Sequence, residues 1–132
     1  MRILIVEDEV LIAMHLEMLV AQLGHEVCAI ALSADEAVAH AAVYRPDVAL
    51  MDIRLARGSS GIDAAREMHA CFGLRCIFLS GNLDEAAKIA VHPFDPVDFI
   101  GKPVLPVMLQ RALKKAEVPP RTLTRSSCRQ FC

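Results

Sequence analysis

Four apolar runs in this chain end in residues whose side chains could together manage a phosphoryl group. Ile3-Leu4-Ile5-Val6 stops at Glu7-Asp8, and Val48-Ala49-Leu50-Met51 stops at Asp52. Cys76-Ile77-Phe78-Leu79 stops at Ser80, and Val97 to Ile100 is followed after Gly101 by Lys102. Three carboxylates crowded into one pocket raise one another's pKa and oppose folding unless a cation neutralises them. All-oxygen ligands with no His or Cys alongside favour Mg²⁺, which accepts one or two carboxylates and expects phosphate. An ionised Asp52 needs no separate base to act as a nucleophile. With a metal, a lysine and a hydroxyl beside it, transfer of a phosphoryl group to Asp52 as an acyl phosphate is the chemistry the set fits.

For these residues to meet, the runs must be neighbouring strands of one sheet. Short apolar runs at 3–6, 27–32, 48–51, 76–79 and 97–100 alternate with helical patterns at about 10–23, 34–44, 61–72, 83–91 and 104–116. Within the last pattern, Leu105, Leu109, Ala112 and Ala116 have the spacing of a buried face. Gly24 closes the first helix, Ser33 caps the second with Glu36 completing a capping box, and Pro103 opens the fifth. Such alternation predicts parallel strands joined by right-handed helical crossovers: an α/β, doubly wound, flavodoxin-like (βα)5 sheet of order 2-1-3-4-5. Each site residue then lies a whole number of βα units from the next, so all emerge at the carboxyl edge of the sheet. Glu7, Asp8 and Asp52 meet at the switch point, with Ser80 and Lys102 flanking them.

Bulk properties agree with one domain. The 132 residues are 55% hydrophobic with no Trp, five Phe and one Tyr, which suits an aliphatic core around a buried sheet. A formal charge of -2 speaks against direct binding of nucleic acid, and no apolar stretch reaches the length of a membrane span. A cytoplasmic protein is expected. Cys28, Cys71 and Cys76 lie in or beside apolar runs, where reduced thiols are expected; Cys128 and Cys132 complete no ligand set. Met14 and Met18, at helical spacing with Leu11, are expected in the core. One domain over 1–117 followed by a flexible basic tail over 118–132 is the expected organisation.

Glu7-Asp8, Met51-Asp52, Ser80-Gly81 and Phe99-Ile100-Gly101-Lys102-Pro103 resemble the receiver domain of two-component response regulators, over roughly residues 1 to 117. The resemblance implies that Asp52 is the phosphoacceptor, that Asp8, Asp52 and the carbonyl of Arg54 bind Mg²⁺, and that Glu7 acts mainly through water. It implies that Ser80, Lys102 and Gly81 hold phosphate, that Ser80 and Phe99 form the switch, and that Arg54 and Asn82 tune phosphate lifetime. The implied partners are a histidine kinase or histidine phosphotransfer protein, and a downstream protein or second copy meeting the fourth helix, fifth strand and fifth helix. There, Val104, Val107 and Met108 widen the apolar stripe. The run Phe78-Leu79-Ser80-Gly81-Asn82 is similar to the Phe-Ala-Thr-Gly pattern of an α-proteobacterial receiver subgroup that includes stand-alone regulators. The chain departs from the family's pattern at Ala56, where Pro is usual, and in the added length of Arg57-Gly58-Ser59-Ser60-Gly61.

Two other function classes fit the residues less well. A phosphatase or phosphotransferase of haloacid-dehalogenase type resembles Asp-x-Asp, but here the second position is Arg54. A phosphorylation-independent interaction module would not need the complete set Asp8, Asp52, Ser80 and Lys102. Dinucleotide binding fails because Glu7-Asp8-Glu9 stands where a glycine-rich turn would be required.

Overall fold

Aliphatic side chains fill both faces of a five-stranded parallel sheet, with two helices covering one face and three the other. The computed structural model describes residues 1–55, 60–81 and 85–117. Its strands are β1 (Arg2–Val6), β2 (Glu26–Ala31), β3 (Val48–Asp52), β4 (Cys76–Ser80) and β5 (Asp98–Gly101). Between and after them lie α1 (Val10–Gln22), α2 (Ala34–Tyr44), α3 (Gly61–Phe72), α4 (Glu85–Val91), a 3-10 turn at His92–Phe94, and α5 (Pro106–Ala116). The strands are ordered β2-β1-β3-β4-β5, as the alternation predicts.

Alternation along each strand divides the core in two. Ile3, Ile5, Val48, Leu50, Ile77 and Leu79 pack with Leu16, Val20, Leu109 and Leu113 of α1 and α5. Leu4, Val6, Ala49, Met51 and Phe78 face Ala37 and Ala41 of α2, Ala65 and Met68 of α3, and Val91 of α4. β3 is buried along its whole length, so its last residue reaches the sheet edge from the middle of the core. Fully burying each such Leu, Ile or Phe contributes about 1.5–3 kcal/mol, enough to hold the strand ends in register.

Local signals account for the helix boundaries. The Ser33 hydroxyl accepts from the Glu36 N–H at 3.2 Å, while Glu36 Oε1 accepts from the Leu32 N–H at 3.1 Å, a capping box shifted by one residue on its return bond. Gly24, at φ 87°, takes the left-handed position just beyond α1. Ser60 caps α3 by accepting from the Asp63 N–H.

Several expectations are corrected. β2 and β5 are each displaced by one residue from the expected spans, beginning at Glu26 and ending at Gly101. α5 starts at Pro106 rather than near Pro103, because Leu105 is held extended before a proline and serves as the N-cap. Leu105 is therefore exposed, while Val104 is buried in the core and Met108 packs against it; of the three residues expected to widen a surface stripe, Val107 alone projects. Leu11, Met14 and Met18, expected inside, are 80%, 56% and 51% exposed. α1 is apolar all round, so helical spacing could not choose which stripe faces the sheet; Ala13, Leu16 and Val20 do. Cys28 and Cys76 are free thiols, but Cys71, on the half-exposed end of α3, is disulfide-bonded rather than reduced. Ala56, Arg57 and the tail over 118–132, including Cys128 and Cys132, lie outside the described residues.

The inward and outward sides of α1 should respond very differently to truncation. Met18→Gln is expected to change the unfolding free energy in urea by less than about 0.5 kcal/mol, whereas Leu16→Ala should lower it by about 2–5 kcal/mol. Equal losses would place Met18 in the core after all.

Candidate phosphoryl-acceptor site

Parallel strands point all their carboxyl ends the same way, and the polar residues that end β1, β3, β4 and β5 converge there. Beyond β1, the Glu7 N–H continues the ladder by donating to the Ala31 carbonyl at 3.0 Å, which turns the Glu7 side chain inward. Glu7 is 0% exposed and Asp52, the last residue of β3, is 5% exposed. Ser80 ends β4, and its carbonyl accepts from the Lys102 N–H at 2.8 Å, which fastens the loop after β5 beside it. A cis peptide bond joins Lys102 to Pro103.

Lys102 bridges the two buried acids. Its Nζ donates to Glu7 Oε2 at 2.8 Å and to Asp52 Oδ2 at 3.1 Å. The remaining oxygens are held by backbone amides: Glu9 N–H donates to Glu7 Oε1 at 3.2 Å, and Arg54 N–H donates to Asp52 Oδ1 at 3.1 Å. Carboxylate oxygens of Glu7, Asp8 and Asp52 lie within 4.8 Å of one another. One oxygen from each could reach a single hard cation of the Mg²⁺ class, and the all-oxygen donor set fits that choice.

Above these groups opens a cavity of about 420 Å³ lined by Asp8, Glu9, Asp52, Arg54, Leu55, Ser80, Gly81 and Lys102. The structure therefore brings together Asp8, Asp52, Arg54, Ser80, Gly81 and Lys102 as expected. Glu7 lies beneath the cavity and meets it through Lys102. Phe99 lies apart, on β5, stacked on Phe78 with ring centroids 5.7 Å apart and with the Lys88 ammonium 5.7 Å from its own centroid. Asn82 is outside the described residues. Glu9 and Leu55 line the cavity without having been expected. Glu9 could have been suspected from its place directly after Asp8, but nothing in the sequence around Leu55 marks it.

Burial sets the charge state of the floor. Desolvation pushes the Glu7 carboxyl up to about 7, with the Asp52 charge adding to the rise and the bonds from Lys102 and the Glu9 amide opposing it. Burial pulls the Lys102 ammonium down, but its bonds to Glu7 and Asp52 outweigh that and leave its pKa raised.

A model of the response regulator receiver domain matches residues 3–114. The chain belongs to this family. It is 44% identical over 105 residues to the phyllosphere-induced regulator PhyR of Methylorubrum extorquens, an alignment covering 73% of this chain and 39% of that protein. Among solved structures it resembles the signal receiver domain of a modulated diguanylate cyclase from Desulfovibrio desulfuricans, with TM-score 0.80, 32% identity, and coverage of 87% and 91% of the two chains. It also resembles the anti-anti-sigma factor PhyR of Bartonella quintana, with TM-score 0.73, 33% identity, and coverage of 87% and 47%. The chain thus spans less than half of the length of the PhyR proteins it matches.

A carboxyl whose folded pKa is raised favours the native state while protonated. The Glu7 contribution is whole below about 4.5 and is lost as pH rises to about 7 and beyond. Metal-free protein should therefore lose stability across that interval, and Glu7→Gln should flatten the Glu7 part of the loss in urea titrations run without divalent ions. An unchanged profile in Glu7→Gln would show that burial does not hold the proton on Glu7.

Proposed function

We propose that this receiver is a phosphorylation switch in which Asp52 takes a phosphoryl group from a histidine kinase or histidine phosphotransfer protein. The observation that carries this reading is the Asp52 carboxylate itself: at the end of the central strand, Oδ1 is held by the Arg54 N–H and Oδ2 by Lys102, at the floor of an open cavity. A carboxylate oxygen attacks phosphorus, the bond from phosphorus to the donor's imidazole nitrogen breaks, and an acyl phosphate remains on Asp52. Lys102 would meet the charge of the transferred group as its bonds to the carboxylates loosen. Ser80 and Gly81 line the same cavity, where a phosphate oxygen would arrive.

The residues present fit Mg²⁺, with Asp8, Asp52 and the Arg54 carbonyl as direct ligands and Glu7 acting mainly through water. When bound, the ion would neutralise phosphate charge and offset the repulsion among the acids. Arg54 is exposed at the cavity mouth, and it would tune phosphate lifetime together with Asn82 by limiting the approach of water. The position two residues after Asp52 thus holds a cation, which disfavours a haloacid-dehalogenase type of turnover chemistry that needs an acid there.

In the signalling step, Ser80 is drawn toward the phosphate and Phe99, three residues before Lys102, changes its packing. An apolar groove of about 380 Å³ lined by Lys88, Ile89, His92, Pro93, Pro96 and Phe99 lies between α4 and β5 and would register that change. The output is a protein partner rather than DNA, in keeping with the net charge of -2 and with a relative described as an anti-anti-sigma factor. Among the described residues no helix is long and apolar enough to cross a membrane. A cytoplasmic setting, where such kinases present their phosphohistidines, completes the reading.

Incubation with Mg²⁺ and acetyl phosphate should add one phosphoryl group to the wild type by intact-protein mass, and none to Asp52→Asn. A gain in both would move the acceptor elsewhere, and a gain in neither would favour a phosphorylation-independent module. Mg²⁺ should also raise the melting temperature at neutral pH, and Asp52→Asn should stabilise the metal-free protein, since each relieves the same repulsion. Identical melting curves with and without Mg²⁺ would remove the metal from the site.

A further inference from the structure

Asp52 is held from two sides, and the second side has no side chain. On the sheet side, Asp52 is registered against Leu79 of β4, and the next amide, Ile53 N–H, donates to the Leu79 carbonyl at 3.1 Å. On the other side, the chain returns after 55–59 to meet the same stretch of backbone. Arg54 and Ser60 form an isolated antiparallel bridge, and the Gly61 N–H donates to the Ile53 carbonyl at 3.1 Å.

At Gly61 the approach is too close for any other residue. A Cβ there would stand 2.0 Å from the Asp52 carbonyl oxygen and 3.0 Å from both the Asp52 carbonyl carbon and Ile53 Cα. Every one of these neighbours is backbone, so no rotamer change can make room. The φ of Gly61 is not among the positive values, so it is space and not conformation that demands glycine here. Gly81, which lines the cavity, is the opposite case, with nothing within 4 Å of a Cβ.

We infer that Gly61 is a positioning residue for phosphoryl transfer: the first turn of α3 is a backbone wall that sets where the Asp52 carboxylate stands relative to Lys102 and the Arg54 amide. This rests on Asp52 being the acceptor. The bridge and the Gly61 bond pin Ser60 and Gly61 against Ile53 and Arg54, directly after Asp52. A Cβ at 61 would push the Asp52 backbone while Oδ2 is tied to Lys102, and reactions of this kind lose rate steeply with small displacements of the attacking group.

The test follows phosphorylation by acetyl phosphate in saturating Mg²⁺, as a function of donor concentration, for wild type, Gly61→Ala and Ser60→Ala. Gly61→Ala is expected to lower the maximal rate per folded molecule about tenfold or more with the half-saturating donor concentration little changed, the split that marks loss of alignment rather than of binding. Ser60→Ala, which removes the α3 cap but leaves the approach open, should lower the melting temperature while keeping the wild-type maximal rate. Gly61→Ala with a wild-type maximal rate, or equal rate losses in both variants, overturns the inference. A wild type that takes no phosphoryl group would instead overturn the acceptor assignment. Should Gly61→Ala fail to fold, amide exchange in the wild type decides: loading with Mg²⁺ and beryllofluoride should slow the Gly61 and Ile53 amides together, and a Gly61 amide indifferent to loading overturns the inference.

Discussion

Lys102 holds together two carboxylates that have left water. Glu7 is wholly buried and Asp52 nearly so, and an isolated buried carboxylate would neutralise itself or unfold its surroundings. The ammonium bonds both acids, and each acid's other oxygen is taken by a backbone amide at the start of the following loop. That arrangement ties β5 to β1 and β3 across the sheet edge. With Glu7, Asp52 and nearby Asp8 all ionised against a single lysine, the floor is two positive charges short of neutrality, the charge of one divalent cation. Burial, with the Asp52 charge adding to it, raises the pKa of Glu7, and a bound divalent cation would offset the negative charge that remains.

The rest of the fold can be read as what is required to bring these charges to one place. Parallel strands aim their carboxyl ends together, and order β2-β1-β3-β4-β5 puts the strands bearing Glu7 and Asp52 side by side. Burial of β3 on both faces makes the position of Asp52 insensitive to solvent-side changes. Under the proposed function, a residue so placed would accept charge without moving, and the response would come from neighbours with somewhere to go. Phe99, half-buried between Phe78 and the Lys88 ammonium, is such a neighbour. Its register partner Phe78 is fully buried and cannot follow it, which favours two discrete packings over a gradual shift.

Much of this was legible in residue types and spacing. Strands of four to six residues show themselves as short apolar runs between helical patterns, and the polar residues that end or follow four of the five runs mark one sheet edge. Asp8, Asp52, Ser80 and Lys102 were identifiable because whole βα units separate them, and Ser33 and Gly24 because capping chemistry is local. Where the sequence misled, the missing information was non-local. α1 offers apolar residues on every side, so Leu11, Met14 and Met18 could not be told from Ala13, Leu16 and Val20 until the sheet chose a face. Leu105 failed as a core residue because a proline one position later kept it out of the helix.

Sequence alone determined the order of elements and the sheet edge at which a set of acids, a hydroxyl and a lysine meet. Those properties depend on patterns of a few residues and on the near-universal handedness of parallel crossovers. Tertiary structure alone decided that Glu7 lies under the cavity rather than in it, that one lysine serves two acids, and that Gly61 rests against the Asp52 carbonyl. Each of those is a contact between segments far apart in the chain, set by ångström-scale packing that no periodicity encodes.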